Sequence, residues 1–450
     1  MLKFGRAISS SCTPNWLIGL LVILLSASSI FGGPLGVIGR GERHVLLILA
    51  VTVSIYELVK VRFQGVLRFV AAHPVVVVPA LFALVNFLWV FNLLTKESGA
   101  RVALGMMDAQ SLVVPLVTPV IVIAMRRHLH SLVGLITMLV ISVSILAAIQ
   151  LGIWLFMVAH PIDRENVSAL VNVVFGTTEG VNIIRQQNGM VWYTRIIWIS
   201  SYWLLPCLFL APLVIERKLP LLIIQTSISA AIIISYTRGI WVGAGIGAIS
   251  LLLALTSTQR RRAKWSHRLA KPMVISLAGI GLAVAIVQVA SIAGGEPMGL
   301  FARLSLPTNG LVPGDSEGVF DRVEQTRRLL EMWQENPWFG HGYGAFIPDL
   351  IRHADRPFLY EMVPPALLMK LGIVGFSLYL LSLFLISVRL WVLSGKARLA
   401  LMLLPAFIGY LCQIHTNPVF FSFTGMFIFS VLLSTWIYVE ISEKAHAKQA

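Results

Sequence analysis

Long apolar runs recur along the chain, near 16–36, 45–59, 74–94, 109–125, 131–158, 191–214, 219–236, 239–257, 272–293, 364–388, 397–413 and 418–439. A bilayer offers no water to unpaired backbone groups, so a spanning segment must satisfy its own, and a helix of about 20 apolar residues does so. Twelve runs predict an all-α polytopic membrane protein of about 12 transmembrane helices. Composition agrees: 57% of residues are hydrophobic and only 12% charged, against roughly 25% charged in a soluble domain. A disordered tail fails on the same numbers, and three cysteines cannot build a disulfide scaffold. Pro79, Pro115 and Pro405 lie inside runs and predict kinks rather than ends.

The net charge of +15 would suggest nucleic acid in a soluble protein. Here its position is read first, because lysine and arginine gather on the cytoplasmic side of membranes. With the N-terminus inside, the cytoplasmic connections hold Arg126 and Arg127, Arg217 and Lys218, and the cluster from Arg260 to Lys271. Short loops on the other side are poorer in basic residues. Both termini are therefore placed in the cytoplasm. The cluster at Arg260–Lys271 reads as a topology anchor meeting anionic lipid, and no nucleic acid is expected as a partner. The stretch from Lys3 to Gly33 resembles a secretory signal, but its apolar core exceeds the usual 7–15 residues, so it reads as the first span.

This divides the chain into 1–190, holding five spans and the first outer loop; 191–293, with spans six to nine; 294–363, a large outer loop; and 364–450, with three spans and the tail. Within the large loop, Phe320–Glu335 reads as an amphipathic helix, with Val323, Leu329, Leu330 and Trp333 alternating with Asp321, Arg322, Glu324, Arg327 and Arg328. Asn336-Pro337 ends it, and Gly340-His341-Gly342-Tyr343-Gly344 makes a tight turn. The loop is expected to be ordered, to lie on the outer membrane face and to cover a cavity.

The sequence has no P-loop, no dinucleotide fingerprint, no metal-ligand spacing of His or Cys, and no Asp-x-Asp pair for a metal-bound nucleotide sugar; no cofactor is implied. What stands out are arginines at the membrane boundary. Arg195 follows Tyr193-Thr194 near the start of the sixth run, and Arg238 follows Tyr236-Thr237 between the seventh and eighth. Each is either a snorkelling anchor or a fixed fork of donors for phosphate oxygens. The short loop at Arg238 favours projection into the bundle mouth. Lys370, inside the tenth run, points into the bundle or snorkels outward.

Tyr236-Thr237-Arg238-Gly239-Ile240-Trp241-Val242-Gly243, then Asn336-Pro337-Trp338-Phe339-Gly340 with Gly342, Gly344 and Phe346, then Leu371-Gly372-Ile373-Val374-Gly375 together resemble the O-antigen polymerase and ligase superfamily. The resemblance covers about 190–390. It implies a GT-C-like helical fold with a long periplasmic loop in the bacterial inner membrane. It also implies a glycan donor on undecaprenyl diphosphate, an acceptor sugar on a lipid-linked repeat unit or lipid A-core, and neither metal nor nucleotide sugar. Many members place a histidine eleven residues before the glycine matching Gly372; here that residue is Glu361. A carboxylate can take the acceptor proton if partial burial raises its pKa; alternatively, Glu361 caps the tenth span, where its charge suits the helix dipole.

The catalytic candidates are thus Glu361 and Arg238, with Arg238, Arg195 and Arg322 for the diphosphate. His341, Tyr343 and Arg328 are candidate substrate contacts; a turn residue, a ring seating the loop on the bilayer and a solvated face are their respective alternatives. The resemblance implies an inverting, metal-independent polymerase at the periplasmic face, with chain-length regulator and flippase proteins as further partners. A ligase acting on lipid A-core is the near alternative, and a polysaccharide transporter or flippase the more distant one.

Overall fold

The computed structural model describes residues 15–30, 45–46, 48–53, 56, 86, 88–90, 100–118, 121–122, 129–160, 163–175, 181–185, 191–196, 201–257, 259–294, 315–351, 356–416 and 422–447. The described residues are overwhelmingly helical: α1 (Asn15–Ile30), α2 (Ala100–Val113), α3 (Leu129–Ala159), α4 (Arg164–Phe175), α5 (Ser201–Val214), α6 (Lys218–Ile234), α7 (Arg238–Thr256), α8 (Gln259–Ala293), α9 (Asp315–Glu335), α10 (Val363–Ser394), α11 (Arg398–His415) and α12 (Phe423–Ala447). Six of these contain stretches long and apolar enough to cross a membrane: those in α3, α7, α8, α10, α11 and α12. Helices α5 and α6 are apolar but shorter. The runs expected at 45–59 and 74–94 lie mostly outside the described residues.

One apolar run is not a single helix. Within 191–214, Val191–Ile196 forms strand β2, antiparallel to β1 (Val181–Arg185), and α5 begins only at Ser201. Valine, tryptophan, tyrosine, threonine and isoleucine suit a strand as well as a membrane, so apolarity alone could not distinguish the two. Arg195 stands on this strand opposite Asn182, not at the start of a span. Two side chains of α3 hold β2 in place: Trp154 Nε1 donates to the Thr194 carbonyl (2.9 Å) and Gln150 Nε2 to the Ile196 carbonyl (2.6 Å). Pro115 falls in a short 3₁₀ segment (Val114–Val117) directly after α2, whereas α11 continues through Pro405.

Small residues set how closely the helices approach. On α7, Gly239, Gly243 and Gly247 recur every fourth residue and are buried. A β-carbon on Gly243 would lie 2.5 Å from the Gly409 carbonyl oxygen of α11, and one on Gly409 would lie 2.7 Å from the Gly243 carbonyl. Backbone therefore meets backbone at this crossing, the arrangement that small-residue stripes permit in membranes. At the basic end of the bundle Arg389 of α10 and Glu440 of α12 form a two-pronged ion pair (2.7 and 2.8 Å).

Helix α9 packs its buried Gln325 and Leu329 toward a small core with Ala345, Ile347, Tyr360, Ala366 and Met369. Val323, expected on the apolar face, is exposed. The glycine-rich segment that follows is tied to α10 at a break in that helix. Gly372 has φ 63° and ψ −176°, a conformation essentially restricted to glycine. The break releases two carbonyls and two N–H groups, and the loop takes up all four. His341 and Gly342 N–H donate to the Met369 and Lys370 carbonyls (both 2.9 Å), while Ile373 and Val374 N–H donate to the Pro337 and Trp338 carbonyls (2.8 and 3.2 Å). The two glycine-centred blocks are thus two sides of one junction.

Candidate functional site

Ser235, Tyr236 and Thr237 alone connect α6 to α7. Tyr236 is buried with φ 46°, a left-handed conformation that costs a non-glycine residue about 1–3 kcal/mol and persists only where its surroundings enforce it. Here they do. Thr237 N–H donates to Ser235 Oγ (3.3 Å), Thr237 Oγ1 donates to the Ser235 carbonyl (3.1 Å), and Trp241 Nε1 reaches back to the Ile232 carbonyl (2.9 Å). This rigid turn sets Arg238 at the first helical position of α7, partly buried. A cation there opposes the helix dipole, at a cost of a few tenths of a kcal/mol to about 1. The same end attracts anions, and the N-cap Thr237 makes no side-chain bond to the first turn.

Ile196 of β2 packs in one apolar cluster with Ile233 and Ile234 at the end of α6, and with Trp241. The two Tyr-Thr-Arg segments are therefore brought to the same end of the bundle, in adjacent elements.

Glu361 directly precedes α10, whose N-cap is Met362 with no side-chain capping bond, so its charge lies beside that helix N-terminus. Its carboxylate accepts from Arg322 Nε of α9 at 2.7 Å, with both side chains partly exposed. Beside it, the Met362 N–H donates to Gln325 Oε1 (2.9 Å). Arg322 and Glu361 are thus brought together.

Arg328 lies one turn along and pairs with Glu324 (2.9 Å), which also binds Arg327 (2.5 Å). Hydrogen bonds from Arg327 and then Arg328 hold the Glu324 carboxyl down at about 2. His341 packs its ring against α9, with Nε2 at 2.6 Å from the Met332 carbonyl. Tyr343 does not offer its ring to a ligand: it is buried, its hydroxyl donates to Asn86 Oδ1, and burial raises its pKa well above the usual tyrosine value. Trp338 and Phe339 are the exposed aromatic rings of the turn, and Trp89 Nε1 donates to the Phe339 carbonyl (2.8 Å).

The sequence reading missed one pair. Lys370 Nζ and Asp108 of α2 form a fully buried ion pair at 2.7 Å. Asp108 also accepts from the Gly344 N–H (2.9 Å), and Lys370 donates to the Phe358 carbonyl (3.1 Å). The signal was two opposite charges in apolar surroundings, which inside a membrane protein call for a partner. Among the described residues no group of three or more His, Cys, Asp or Glu side chains gathers as metal ligands.

The stretch from the first turn of α6 to the middle of α10 carries both the arginine turn and the glycine junction. Residues 221–380 match a family described as O-antigen ligase. This part of the chain is similar to the O-antigen polymerase and ligase superfamily. A Shigella flexneri protein named O-antigen polymerase is 32% identical over 100 residues, which is 22% of this chain and 24% of that relative. The match thus spans about a quarter of the relative's length. No solved structure matches.

Proposed function

We propose that the protein is a membrane glycosyltransferase that polymerises lipid-linked repeat units at the periplasmic face of the bacterial inner membrane. The observation that carries this reading is the placement of Arg238 at the N-terminus of α7, by a strained and fully buttressed turn, within the superfamily segment. A guanidinium carried at a helix N-terminus suits a diphosphate. Arg195, on the neighbouring strand, is the second arginine this reading assigns to the diphosphate.

In the reaction, an acceptor hydroxyl of one repeat unit attacks the anomeric carbon of a glycan held on undecaprenyl diphosphate. The new C–O bond forms opposite the breaking bond to the diphosphate, which inverts the centre. Glu361 takes the hydroxyl proton. Undecaprenyl diphosphate leaves with its charge held by the arginines; fixed donors of this kind supply several kcal/mol of barrier reduction. In the resting state the Glu361 carboxylate is held by Arg322 Nε at 2.7 Å. An incoming diphosphate that draws Arg322 away frees the carboxylate to meet the acceptor hydroxyl.

The near alternative, a ligase delivering glycan to lipid A-core, is favoured by the description of the matching family; donor and chemistry are the same. The separating experiment is a gel of the surface glycan from a host deletion strain, restored with wild type or Glu361→Gln. Loss of the ladder with a single repeat unit on the anchor means polymerase. Bare anchor with polymer accumulating on the carrier means ligase. Purified protein that releases no undecaprenyl diphosphate from lipid-linked glycan would point instead to a transporter or flippase. EDTA is expected to leave transfer unchanged. Chain-length regulator and flippase proteins are the expected partners.

A further inference from the structure

Two full charges lie inside the bundle without solvent contact, Asp108 on α2 and Lys370 on α10, 2.7 Å apart. A buried ion pair is a poor source of stability, because desolvating both ions offsets most of their attraction and a well-packed apolar pair does as well or better. What apolar side chains cannot do is grip main-chain groups in a fixed direction, and each of these charges does so. Asp108 Oδ2 accepts from the Gly344 N–H (2.9 Å), at a glycine with φ 77° that comes so close to α2 that a β-carbon would lie 2.5 Å from the Gly105 nitrogen. Lys370 donates to the Phe358 carbonyl (3.1 Å) and sits 5.4 Å above the centre of the Phe358 ring. The neighbours on either side are held too: the Tyr343 hydroxyl donates to Asn86, and the Ile347 N–H donates to the Tyr360 hydroxyl (2.7 Å).

The chain from Phe358 to Glu361 is therefore fixed at Phe358 by Lys370, at Tyr360 by Ile347, and at Glu361 by Arg322. Only the first of these anchors reaches from the bundle interior to the Glu361 segment. We infer that Asp108 and Lys370 are positioning residues, a buried charge pair that holds the Phe358–Glu361 segment at the height where Glu361 meets the acceptor hydroxyl. This rests on the reading of Glu361 as the group that takes the acceptor proton.

The test uses the full chain, purified and supplied with undecaprenyl-diphosphate-linked repeat units, measuring kcat, KM and the thermal midpoint. In Lys370→Arg the charge and the bridge to Asp108 survive, but the donor no longer meets the Phe358 carbonyl as an ammonium does. The expected result is an unchanged midpoint, an unchanged KM and a kcat lowered about 100-fold, the penalty typical of a misplacement of about 1 Å. The double variant Asp108→Leu with Lys370→Met removes both charges and leaves the Gly344 N–H and the Phe358 carbonyl without these partners, so the midpoint should fall modestly while kcat is lost to a similar extent. Wild-type kcat in Lys370→Arg, or in a folded double variant, would show that the pair only packs and would overturn the inference. Wild-type protein that releases no undecaprenyl diphosphate would instead sink the proposed function. A fully active Glu361→Gln beside an inactive Lys370→Arg would refute the link to Glu361 while leaving transfer intact.

Discussion

Gly372→Ala should loosen the junction between the glycine-rich loop and α10. The residue holds φ 63° and ψ −176°, where a side chain costs about 1–3 kcal/mol before any contact is considered. A β-carbon there would also lie 2.3 Å from the Trp338 carbonyl oxygen and 2.5 Å from the Phe339 nitrogen. Both neighbours are backbone, so they cannot swing aside as a side chain could. The loop must retreat, and the bonds from Ile373 and Val374 to Pro337 and Trp338 stretch first. Each such bond contributes about 1 kcal/mol net. The combined penalty is about 4 kcal/mol, enough to detach a loop segment without unfolding the bundle. Hydrogen exchange followed by mass spectrometry should show faster exchange at 337–344 and 370–375, with α7 and α11 unchanged, and transfer activity should fall with it. Two glycines serve as controls. Gly342 has φ 83° but nothing near its β-carbon position, so Gly342→Ala should show the strain without the collision. Gly245 has open space around it, so Gly245→Ala should be neutral or slightly stabilising. If Gly372→Ala exchanges like wild type, the account of the junction is wrong.

Arg238→Ala should leave the amount of protein in the membrane unchanged and lower transfer about 100-fold or more, as loss of one charge-stabilising donor does elsewhere; near-normal turnover would remove the diphosphate role. Glu361→Gln should lose a factor of about 100 or more in kcat, and full activity would place the base elsewhere. Gly243→Leu should lower the thermal midpoint, because its side chain would fill the space held by the Gly409 carbonyl; an unchanged midpoint would mean that α7 and α11 can separate at no cost. Glu324 is held at about 2 against its ordinary 4.5, so its contribution to α9 is fully present above 4.5 and is lost as pH falls through about 2. Exchange protection across 322–331, corrected for intrinsic rates, should therefore drop between pH 5 and pH 2. In Glu324→Gln that pH step should disappear.

The sequence made some of this architecture readable and hid the rest for physical reasons. Alternating charges and apolar residues, stopped by Asn336-Pro337, predicted α9 because a helix repeat and a proline leave local marks. The two glycine-centred blocks were readable as glycine-rich, but not as two sides of one junction: an interior glycine in an apolar run looks the same whether it eases helix packing, like Gly243, or breaks the helix, like Gly372. Strand β2 was absorbed into a span because hydropathy does not distinguish a buried strand from a helix. Arg322 and Glu361 were each singled out, yet their pairing depends on how α9 lies across the start of α10. Asp108 and Lys370 are farther apart still in the chain, and no local pattern links a carboxylate near one helix to an ammonium in another.

The glycine face of α7 has a consequence for how the protein is made. That helix carries Arg238, but the surface it packs on belongs to α11, which is synthesised long afterwards. Until α11 arrives, the glycine face of α7 has Leu205 and Phe209 of α5 against it but not the backbone of Pro405 and Gly409. A chain truncated after Ser394 would keep Arg195, Arg238, Arg322 and Glu361 and the turn before Arg238, yet the helix that bears Arg238 would lack the backbone surface that seats its glycine face. The last two helices contribute none of the proposed reacting groups, and the arginine end still waits for them to be built.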